Sequence, residues 1–341
     1  MAGTHDPNVQ VPVREAVRAY AEVQPDLREP TRRYVHLVTS LLDEAGINYL
    51  SVEGRTKSVA SFAAKAMRQV DGRPLYADPA REITDQIGVR VITYVHSDVA
   101  AVAGVFDDAL QILDDRDLGE ETASEGRFGY ASRHLLVEVA DPPPPSYNDL
   151  LGLRASIQVR TVLQHAWAEF EHDIRYKGTV PEEHASDLDR RFTLAAGLLE
   201  LADREFSTIR DTLRASAASA TETDGVPDND PRIDPRELAA FLAGQYAEAG
   251  WSRTDHYAWI SGLLLELGIV SLDELGETLR TGDEDLIAQR MDYRYPPGAV
   301  RRLDDALLAA YGTAYVELPG NAHRRAALES RLDRLTGNAL G

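Results

Sequence analysis

Cationic side chains are densest in one short stretch that begins at Arg55. Lys57, Ser61 and Lys65 follow at intervals of four residues. A helix that starts near Ser58 brings these three side chains onto one face. A helix N-terminus carries about half a positive charge and free N–H groups, so Arg55 and Lys57 beside it predict a cradle for a polyphosphate. A solvated basic face is the alternative that the spacing leaves open.

One carboxylate, Asp85, comes just before a strand pattern that starts at Gly88. The glycine lets a ligand approach the backbone closely, and the carboxylate suits a Mg²⁺ ion held against nucleotide phosphates. A single carboxylate is only a small part of a metal site, so an aspartate that caps a turn is the simpler interpretation.

Polar side chains also mark the next two strand patterns. Tyr130 can stack on a base and His134 can donate to a phosphate or a ribose, although Tyr130 also suits a half-buried core position. Further on, polar and apolar residues alternate, which places Ser156, Gln158 and Arg160 on one face. That face borders a site or solvent.

The helix pattern over 161–177 carries His165, Glu169 and His172 at positions i, i+4 and i+7. This spacing can hold a metal ion. Because the sequence offers no second helix with ligands, a hydrogen-bonded structural row is the favoured interpretation.

The elements that position these residues are predicted from hydrophobic periodicity. Helices are expected over 11–23, 30–45, 58–70, 98–111, 161–177 and 186–214, and strands over 49–52, 88–95, 134–139 and 155–160. Strands and helices that interleave without strict alternation predict an α+β core, with a mixed β-sheet flanked by helices.

The domain organisation follows from the same patterns. We expect an N-terminal helical arm over 1–29, the mixed-sheet domain over 30–214, a linker over 215–233 and an all-helical domain of unknown role over 234–341. The linker is small, polar and interrupted by glycine and proline. In the helical domain, the spacing from Ser271 to Glu274 predicts a capping box.

Composition limits the classes of function. The chain has 341 residues, no cysteine, and 36 basic against 56 acidic side chains, for a net charge of −20. The missing cysteines exclude disulfides and thiolate chemistry. The negative charge disfavours nucleic acid as a partner. No apolar segment suits a signal peptide or a membrane span, which predicts a cytoplasmic protein without membrane contact.

Four ordered motifs over about 45–180 resemble the synthetase domain of RelA/SpoT-type alarmone synthetases. They are Gly54-Arg55-x-Lys57-x3-Ser61-x3-Lys65, Thr84-Asp85-x2-Gly88-x-Arg90, Gly129-Tyr130-x-Ser132-x-His134, and Ile157-Gln158-Val159-Arg160-Thr161-x3-His165-Ala-Trp167-Ala-Glu169-x2-His172-x3-Tyr176-Lys177. Too few residues precede them for the family's hydrolase domain, so we expect a small, synthetase-only member with an added C-terminal helical domain.

The resemblance implies a nucleotidyltransferase-like fold and Mg²⁺-dependent transfer of pyrophosphate from ATP to the 3′-hydroxyl of GDP, GTP or an adenosine nucleotide. It implies roles for the motif residues, residue by residue. Arg55, Lys57, Ser61 and Lys65 would contact ATP, Asp85 would bind Mg²⁺, Tyr130 would stack on the acceptor base, and His134 and Gln158 would position the acceptor. Small members of the family often self-associate, so the resemblance also allows a homo-oligomer.

Two positions depart from the family pattern. Ser156 stands where the family usually has a glutamate that acts as general base and second metal ligand, and a serine alone supplies neither function. The segment 114–127 is mostly acidic, with only Arg116 and Arg127, where well-studied members are basic. The segment therefore disfavours a guanosine triphosphate as the acceptor, because few basic side chains are left to bind its phosphates.

Three functions remain open from the sequence. The first is an active alarmone synthetase. The second is a catalytically impaired, nucleotide-binding pseudo-synthetase with a regulatory role, which the serine at position 156 favours. The third is a toxic synthetase that pyrophosphorylates tRNA, which the acidity of the chain disfavours.

Overall fold

The chain forms two compact units. The computed structural model describes residues 7–119, 121, 132–140, 145–177, 182–219, 230–247, 249–293 and 295–337. The first unit comprises Met1–Leu41, Leu50–Val99 and Phe106–Asp203, and the second comprises Leu42–Tyr49, Ala100–Val105 and Arg204–Gly341. Residues 215–219 of the predicted linker over 215–233 continue a helix that ends at Ser219, and the rest of the linker stays a prediction because 220–229 lie outside the described residues. Within the described residues no helix is both long and apolar enough to cross a membrane.

The part of the chain that contains the sheets, residues 7–219, has seven strands, and helices precede, separate and follow these strands along the sequence. Its elements are α1 (Pro7–Val23), α2 (Arg28–Glu44), β1 (Tyr49–Thr56), α3 (Val59–Ala66), β2 (Gln69–Val70), β3 (Arg73–Pro74), α4 (Pro79–Glu82), β4 (Ile87–Thr93), α5 (His96–Ala109), β5 (Leu110–Asp117), β6 (Arg133–Val139), β7 (Ala155–Thr161), α6 (Val162–Lys177) and α7 (Glu182–Ser219).

The C-terminal part consists of helices joined by loops, and no strand is found among its described residues. Its elements are α8 (Pro235–Gln245), α9 (Thr254–Glu266), α10 (Leu272–Arg280), α11 (Glu284–Met291), α12 (Ala299–Tyr311), α13 (Thr313–Val316) and α14 (Arg325–Thr336). The predicted fold class, an α+β core with a mixed sheet followed by helices, is confirmed.

The main sheet has five strands in the order β1-β4-β7-β6-β5. Strands β4 and β7 run parallel, while β6 is antiparallel to both β7 and β5. In β7 the side chains alternate as predicted: Ala155, Ile157 and Val159 are fully buried. The polar side chains between them therefore lie on the opposite face, where the sheet is open.

Strand β5 is absent from the sequence-based prediction, which ended a helix at 111 and placed no strand between positions 95 and 134. The strand pairs along β6, with a bulge between Ile112 and Asp114. Its sequence, Leu-Gln-Ile-Leu-Asp-Asp-Arg-Asp, lacks the apolar alternation of a half-buried strand. An edge strand needs hydrogen bonds from only one neighbour, so backbone pairing with β6 outweighs an unfavourable acidic composition.

Helix α3 starts where the sequence predicts and ends earlier. Ser58 is its N-cap, and the Ser58 hydroxyl accepts a hydrogen bond from the Ser61 N–H at 3.1 Å. Phe62 is buried, and its ring stacks on Tyr20 of α1 with centroids 4.2 Å apart. The helix ends at Ala66 rather than at 70, because residues 69–74 form the short hairpin of β2 and β3.

The helical unit surrounds an apolar core that includes Leu238, Ile260 and Leu303. Its helix starts follow local rules: Asp234 caps α8, and Ser271 and Glu274 form the predicted capping box of α10. These starts were predictable because each depends only on neighbours within one turn.

A group of charged side chains is buried beside this core. The group, named here the buried charge cluster, consists of Arg301, Asp304, Asp305, Arg324 and Arg331. The side chains are at most 10% exposed. Because every aspartate in it contacts at least two arginines, the burial of these charges is compensated locally.

Candidate nucleotide site on the open sheet face

An open pocket of about 520 Å³ lies on the polar face of the sheet, over β1, β4 and β7. Its charged and polar lining consists of Glu53, Arg55, Asp85, Arg90, Ser156 and Gln158. The pocket exists because alternate residues of three neighbouring strands point to the same side of the sheet.

Two motif glycines shape this region by lacking a side chain. At Gly54, a Cβ would overlap Val35 of α2, so the glycine allows α2 to pack against β1. At Gly88, a Cβ would lie 3.4 Å from the Arg55 carbonyl oxygen and 3.5 Å from Arg55 Cγ. The floor between β1 and β7 therefore stays open beside the Arg55 side chain, which forms no ion pair within the described part of the chain.

Asp85 is held between two lysines at the edge of the pocket. Lys57 Nζ donates a hydrogen bond to Asp85 Oδ2 at 2.7 Å, and Lys65 Nζ lies 3.1 Å from Oδ1 in an ion pair. Burial alone raises the pKa of Asp85, but the hydrogen bonds and charges of the two lysines outweigh it and lower that pKa below its usual value. The carboxylate is therefore ionised at neutral pH.

Lys57 is fixed from its backbone as well as its side chain. The Tyr20 hydroxyl donates to the Lys57 carbonyl oxygen at 2.7 Å, and the Lys57 N–H donates to the Gln86 carbonyl oxygen at 2.9 Å. The lysine is buried, whereas Lys65 on α3 is partly exposed. The two ammonium groups thus approach Asp85 from a strand end and a helix.

The acidic residue Glu53 and the cation Arg90 face each other across β1 and β4. Arg90 Nη1 is 4.0 Å from Glu53 Oε2 and 3.1 Å from Glu169 Oε1. Glu169 belongs to α6 and is also 3.9 Å from His165 Nδ1. The main partner of Arg90 is therefore Glu169.

Among the described residues, no group of three or more acidic or histidine side chains is arranged to hold a metal ion. This finding includes the row of His165, Glu169 and His172. Glu169 is directed to Arg90 by a hydrogen bond. His165 Nδ1 is 3.9 Å from Glu169 Oε1 and has no hydrogen-bond partner among the described residues, so the predicted hydrogen-bonded row does not form between these two side chains.

His134 on β6 lies directly across from Gln158 on β7. Its Nε2 is 2.7 Å from the Ser132 hydroxyl. Burial, together with the positive charges of Arg160, Arg116 and Lys65, lowers the pKa of His134 to about 4. The imidazole is therefore neutral at neutral pH and offers hydrogen bonds rather than charge to a ligand.

Arg160 extends the cationic surface along β7. Arg160 Nη2 donates to Gln158 Oε1 at 2.8 Å, which orients the amide. Burial and the neighbouring charge of Arg90 lower the pKa of Arg160 to about 10. The guanidinium stays charged at neutral pH and sits in a site rich in positive charge.

The structure brings most of the predicted residues together. Arg55, Asp85, Ser156 and Gln158 line the pocket, Lys57 and Lys65 contact Asp85, and His134 pairs with Gln158 in the sheet. Ser61 is exposed near the start of α3, and its hydroxyl accepts a hydrogen bond from Ser58 at 2.9 Å. Tyr130 lies outside the described residues.

Three residues of the site had no functional role in the prediction. No role was predicted for Glu53 or Arg90, and Arg160 was predicted only to share the polar face of β7 with Ser156 and Gln158. A signal for Glu53 exists in the sequence, because it precedes Arg55 by two positions and must share its face on a strand. Further along the sheet, Arg116 is occupied by a two-point contact to Glu121 at 2.6 and 3.0 Å.

The fold and the pocket define an α+β protein whose open sheet face gathers lysines and arginines around one aspartate, an arrangement suited to phosphate groups. Residues 54–180 match the region found in RelA / SpoT proteins. GTP pyrophosphokinase YjbM of Bacillus subtilis (strain 168) is 30% identical over 172 residues, which cover 49% of this chain and 75% of that protein. GTP pyrophosphokinase YwaC of the same strain is 31% identical over 148 residues, covering 42% and 67%.

The chain therefore belongs to the RelA/SpoT family, and the resemblance read from its motifs is confirmed. Among solved structures, the small alarmone synthetase 1 from Bacillus subtilis bound to its product pppGpp shares 26% identity with this chain. The match covers 60% of this chain and 95% of that one, with a TM-score of 0.39. Residues 181–341 lie outside the matched RelA/SpoT region.

Proposed function

We propose that this chain transfers pyrophosphate from ATP to the 3′-hydroxyl of a purine nucleotide and so synthesises an alarmone. The observation that carries the proposal is the convergence of Lys57, Lys65 and Arg55 with Asp85 beside Gln158, on one open sheet face. Family membership supports it, since both curated relatives are named GTP pyrophosphokinases.

For this reaction the protein must mainly position the two nucleotides and stabilise the negative charge of the transferring group. The acceptor oxygen attacks the β-phosphorus of ATP, the bond between the α- and β-phosphates breaks, and AMP leaves. Lysine and arginine groups that already point into the pocket stabilise the charge on the transferring group. Lys57 and Lys65 exchange their ion pairs with Asp85 for contacts to the incoming phosphates.

Asp85 fits a Mg²⁺ ion that is shared with the nucleotide. Mg²⁺ is typically held by one or two carboxylates together with substrate phosphates, and the ionised Asp85 is one such carboxylate at the pocket edge. Once bound with the nucleotide, the ion would neutralise charge on the transferring phosphates. Asp85 is the residue that would hold the ion, because its carboxylate loses the two lysine contacts when the lysines bind the phosphates.

The acceptor side of the site consists of neutral hydrogen-bonding groups. Gln158 is oriented by Arg160, and the neutral His134 lies across from it. Among the described residues on that side, Arg116 is already paired with Glu121 and is therefore less available to a long acceptor polyphosphate. A nucleoside diphosphate suits the site better than a triphosphate, and the names of the relatives support guanosine as the nucleoside.

The test is incubation of the purified protein with γ-labelled ATP, Mg²⁺ and, separately, GDP, GTP or AMP. We expect a labelled product that carries a 3′-pyrophosphate, with GDP the preferred acceptor. A Lys65→Gln variant provides the matched control, because it removes one ammonium from the site. Absence of product with all three acceptors contradicts the proposal. A tRNA acceptor in a parallel reaction tests the toxic-synthetase alternative.

A second candidate is a pseudo-synthetase that binds nucleotide without turnover. The observation that favours it is Ser156, which lines the pocket where a carboxylate would be expected. Calorimetry with ATP in the absence of acceptor tests binding separately from turnover. A Ser156→Glu variant that gains turnover from an inactive parent supports this candidate, whereas an active parent excludes it.

A further inference from the structure

Two carboxylates line the pocket among the described residues, Asp85 and Glu53. Both oxygens of Asp85 contact lysine ammonium groups, at 2.7 and 3.1 Å. A carboxylate held in this way is a weak base, because the lysines stabilise its ionised form. With nucleotide bound, a Mg²⁺ ion would take the place of the lysines at this carboxylate, so Asp85 is poorly suited to accept a proton from an acceptor hydroxyl in either state.

Glu53 differs from Asp85 in both position and partners. Its side chain is 56% exposed, and its nearest cation, Arg90 Nη1, is 4.0 Å from Oε2. Arg90 makes its shorter contact to Glu169, at 3.1 Å. The other contact of Glu53 is a long hydrogen bond of 3.4 Å from the Ser51 hydroxyl to Oε1. Its carboxylate is therefore open to the pocket and weakly held.

The remaining pocket groups are weaker candidates for a base. Ser156 has a hydroxyl that does not accept a proton near neutral pH. His134 is not among the residues that line the pocket, and its Nε2 is already engaged with the Ser132 hydroxyl. The arginines stay protonated. Glu53 is the one group left in the described lining that can take a proton.

The order of the strands allows the side chains of Glu53 and residue 156 to face the same pocket. Glu53 and Arg55 share a face of β1, and β4 separates β1 from β7. Between Arg55 and Ser156 the pocket floor is Gly88, which pairs with Ser156 in the sheet and has no side chain to block the path. A carboxylate on β1 thus faces the space that a carboxylate on β7 would otherwise reach.

We propose that Glu53 is the general base of this chain and takes the place of the carboxylate missing at Ser156. The inference rests on the proposed function. The Glu53 carboxylate accepts the proton of the acceptor 3′-hydroxyl as that oxygen bonds to the β-phosphorus of ATP. The bond from the β-phosphorus to the α-phosphate oxygen breaks, AMP leaves with the electron pair, and Glu53 then releases its proton to solvent.

The experiment compares the full-length wild type with Glu53→Gln and Glu53→Asp in the labelled-ATP assay with GDP. We expect Glu53→Gln to lower kcat about 10²- to 10⁴-fold, the usual effect of a lost general base. Glu53→Asp should retain part of the rate. ATP affinity, measured by calorimetry, should stay within about threefold of wild type, because the lysines and Arg55 are unchanged.

The matched control is Glu138→Gln. Glu138 is on β6 and pairs with Arg154 at 2.8 Å, outside the pocket lining. We expect this variant to keep the wild-type rate. A double variant, Glu53→Gln with Ser156→Glu, restores the carboxylate on β7 and should recover at least tenfold of the lost rate. A merely structural role for Glu53 does not predict that recovery.

The outcomes separate the two proposals. Wild-type turnover that survives in Glu53→Gln overturns the assignment of Glu53 and leaves the proposed function standing. A wild type that is inactive with every acceptor overturns both. A rate that falls in Glu53→Gln together with ATP affinity, without recovery in the double variant, assigns Glu53 to nucleotide binding and also overturns the inference.

Discussion

Two clusters of charge in this molecule have opposite properties. In the nucleotide site, Asp85 lies between Lys57 and Lys65, and the side chains of Asp85 and Lys65 are about one quarter exposed. In the helical unit, the members of the buried charge cluster are at most 10% exposed. The first group combines a carboxylate with flexible ammonium groups, and the second combines carboxylates with planar guanidinium groups.

Two tyrosine hydroxyls also donate hydrogen bonds to the aspartates of the buried charge cluster. The Tyr315 hydroxyl donates to Asp304 and the Tyr293 hydroxyl to Asp305, each at 2.5 Å. Burial opposes ionisation of Asp304, but Arg331 and Arg324 lower its pKa far below the usual range. Burial and the charge of Asp304 raise the pKa of Tyr315, so its proton stays in place.

The difference teaches what makes a charge cluster available to a ligand. A partly hydrated lysine such as Lys65 can leave one anion for another at small cost. Guanidinium groups that are buried and paired on several sides cannot, because breaking a pair leaves an uncompensated charge in a medium of low dielectric. We expect the nucleotide site to exchange partners and the buried charge cluster to hold the helical unit together.

The largest effect should come from the buried charge cluster. Asp304→Asn removes the negative charge that Arg324 and Arg331 share and should lower the free energy of unfolding by about 3–5 kcal/mol. Urea unfolding followed by far-UV circular dichroism measures this. The control is Asp230→Asn, which removes an exposed partner of Arg232 and should leave the free energy of unfolding almost unchanged. If the two variants lower the free energy of unfolding equally, the buried charge cluster does not stabilise the helical unit more than an exposed ion pair does.

The nucleotide site should show the reverse pattern. Lys65→Gln should lower kcat/KM for ATP about 10²- to 10³-fold, the range for one lost group that stabilises transferring charge, while the free energy of unfolding changes by less than about 1 kcal/mol. The control is Arg32→Gln, in an exposed pair with Glu29 on α2, which should leave the rate unchanged. A stability loss as large as that of Asp304→Asn erases the distinction between the clusters.

The smallest effect concerns pH. The folded pKa of His134 is about 4 and its ordinary value is 6.5, so between these values the unfolded chain binds a proton that the folded chain does not. The His134 contribution therefore lowers the free energy of unfolding as pH falls from 6.5 to 4, by at most about 1.4 kcal/mol per pH unit.

His134→Gln should remove this dependence. Unfolding of both proteins in urea at several pH values gives the difference in free energy, which should be constant above pH 6.5 and change steadily below it. A difference that does not vary with pH contradicts the lowering of the His134 pKa by burial and by the positive charges of the site.

Much of the site was predictable because its signals are local. The N-cap at Ser58 and the alternation of β7 are set by neighbours along the chain, and they put Lys65, Ser156 and Gln158 on usable faces. The ion pairs from Lys57 and Lys65 to Asp85 were not predictable, because nothing in the spacing of these three residues says that a strand end, a helix and a loop meet.

The buried charge cluster illustrates the limit more strongly. Arg301, Asp304 and Asp305 look like the solvated face of a surface helix in sequence, with the spacing of exposed ion pairs. Only the packing of α12 against α14 and the turn before it buries them. Strand β5 was missed for the same reason, since it is a strand only because β6 lies beside it.

The sequence by itself determined the family, the mixed-sheet fold and the side chains available for phosphate binding, because motif order, hydrophobic period and helix caps are read along the chain. The tertiary structure alone decided which charges are paired, which are buried and which face an open pocket. Electrostatic interactions depend on distance in space and on exclusion of water, and neither quantity is encoded in the separation of residues along the chain.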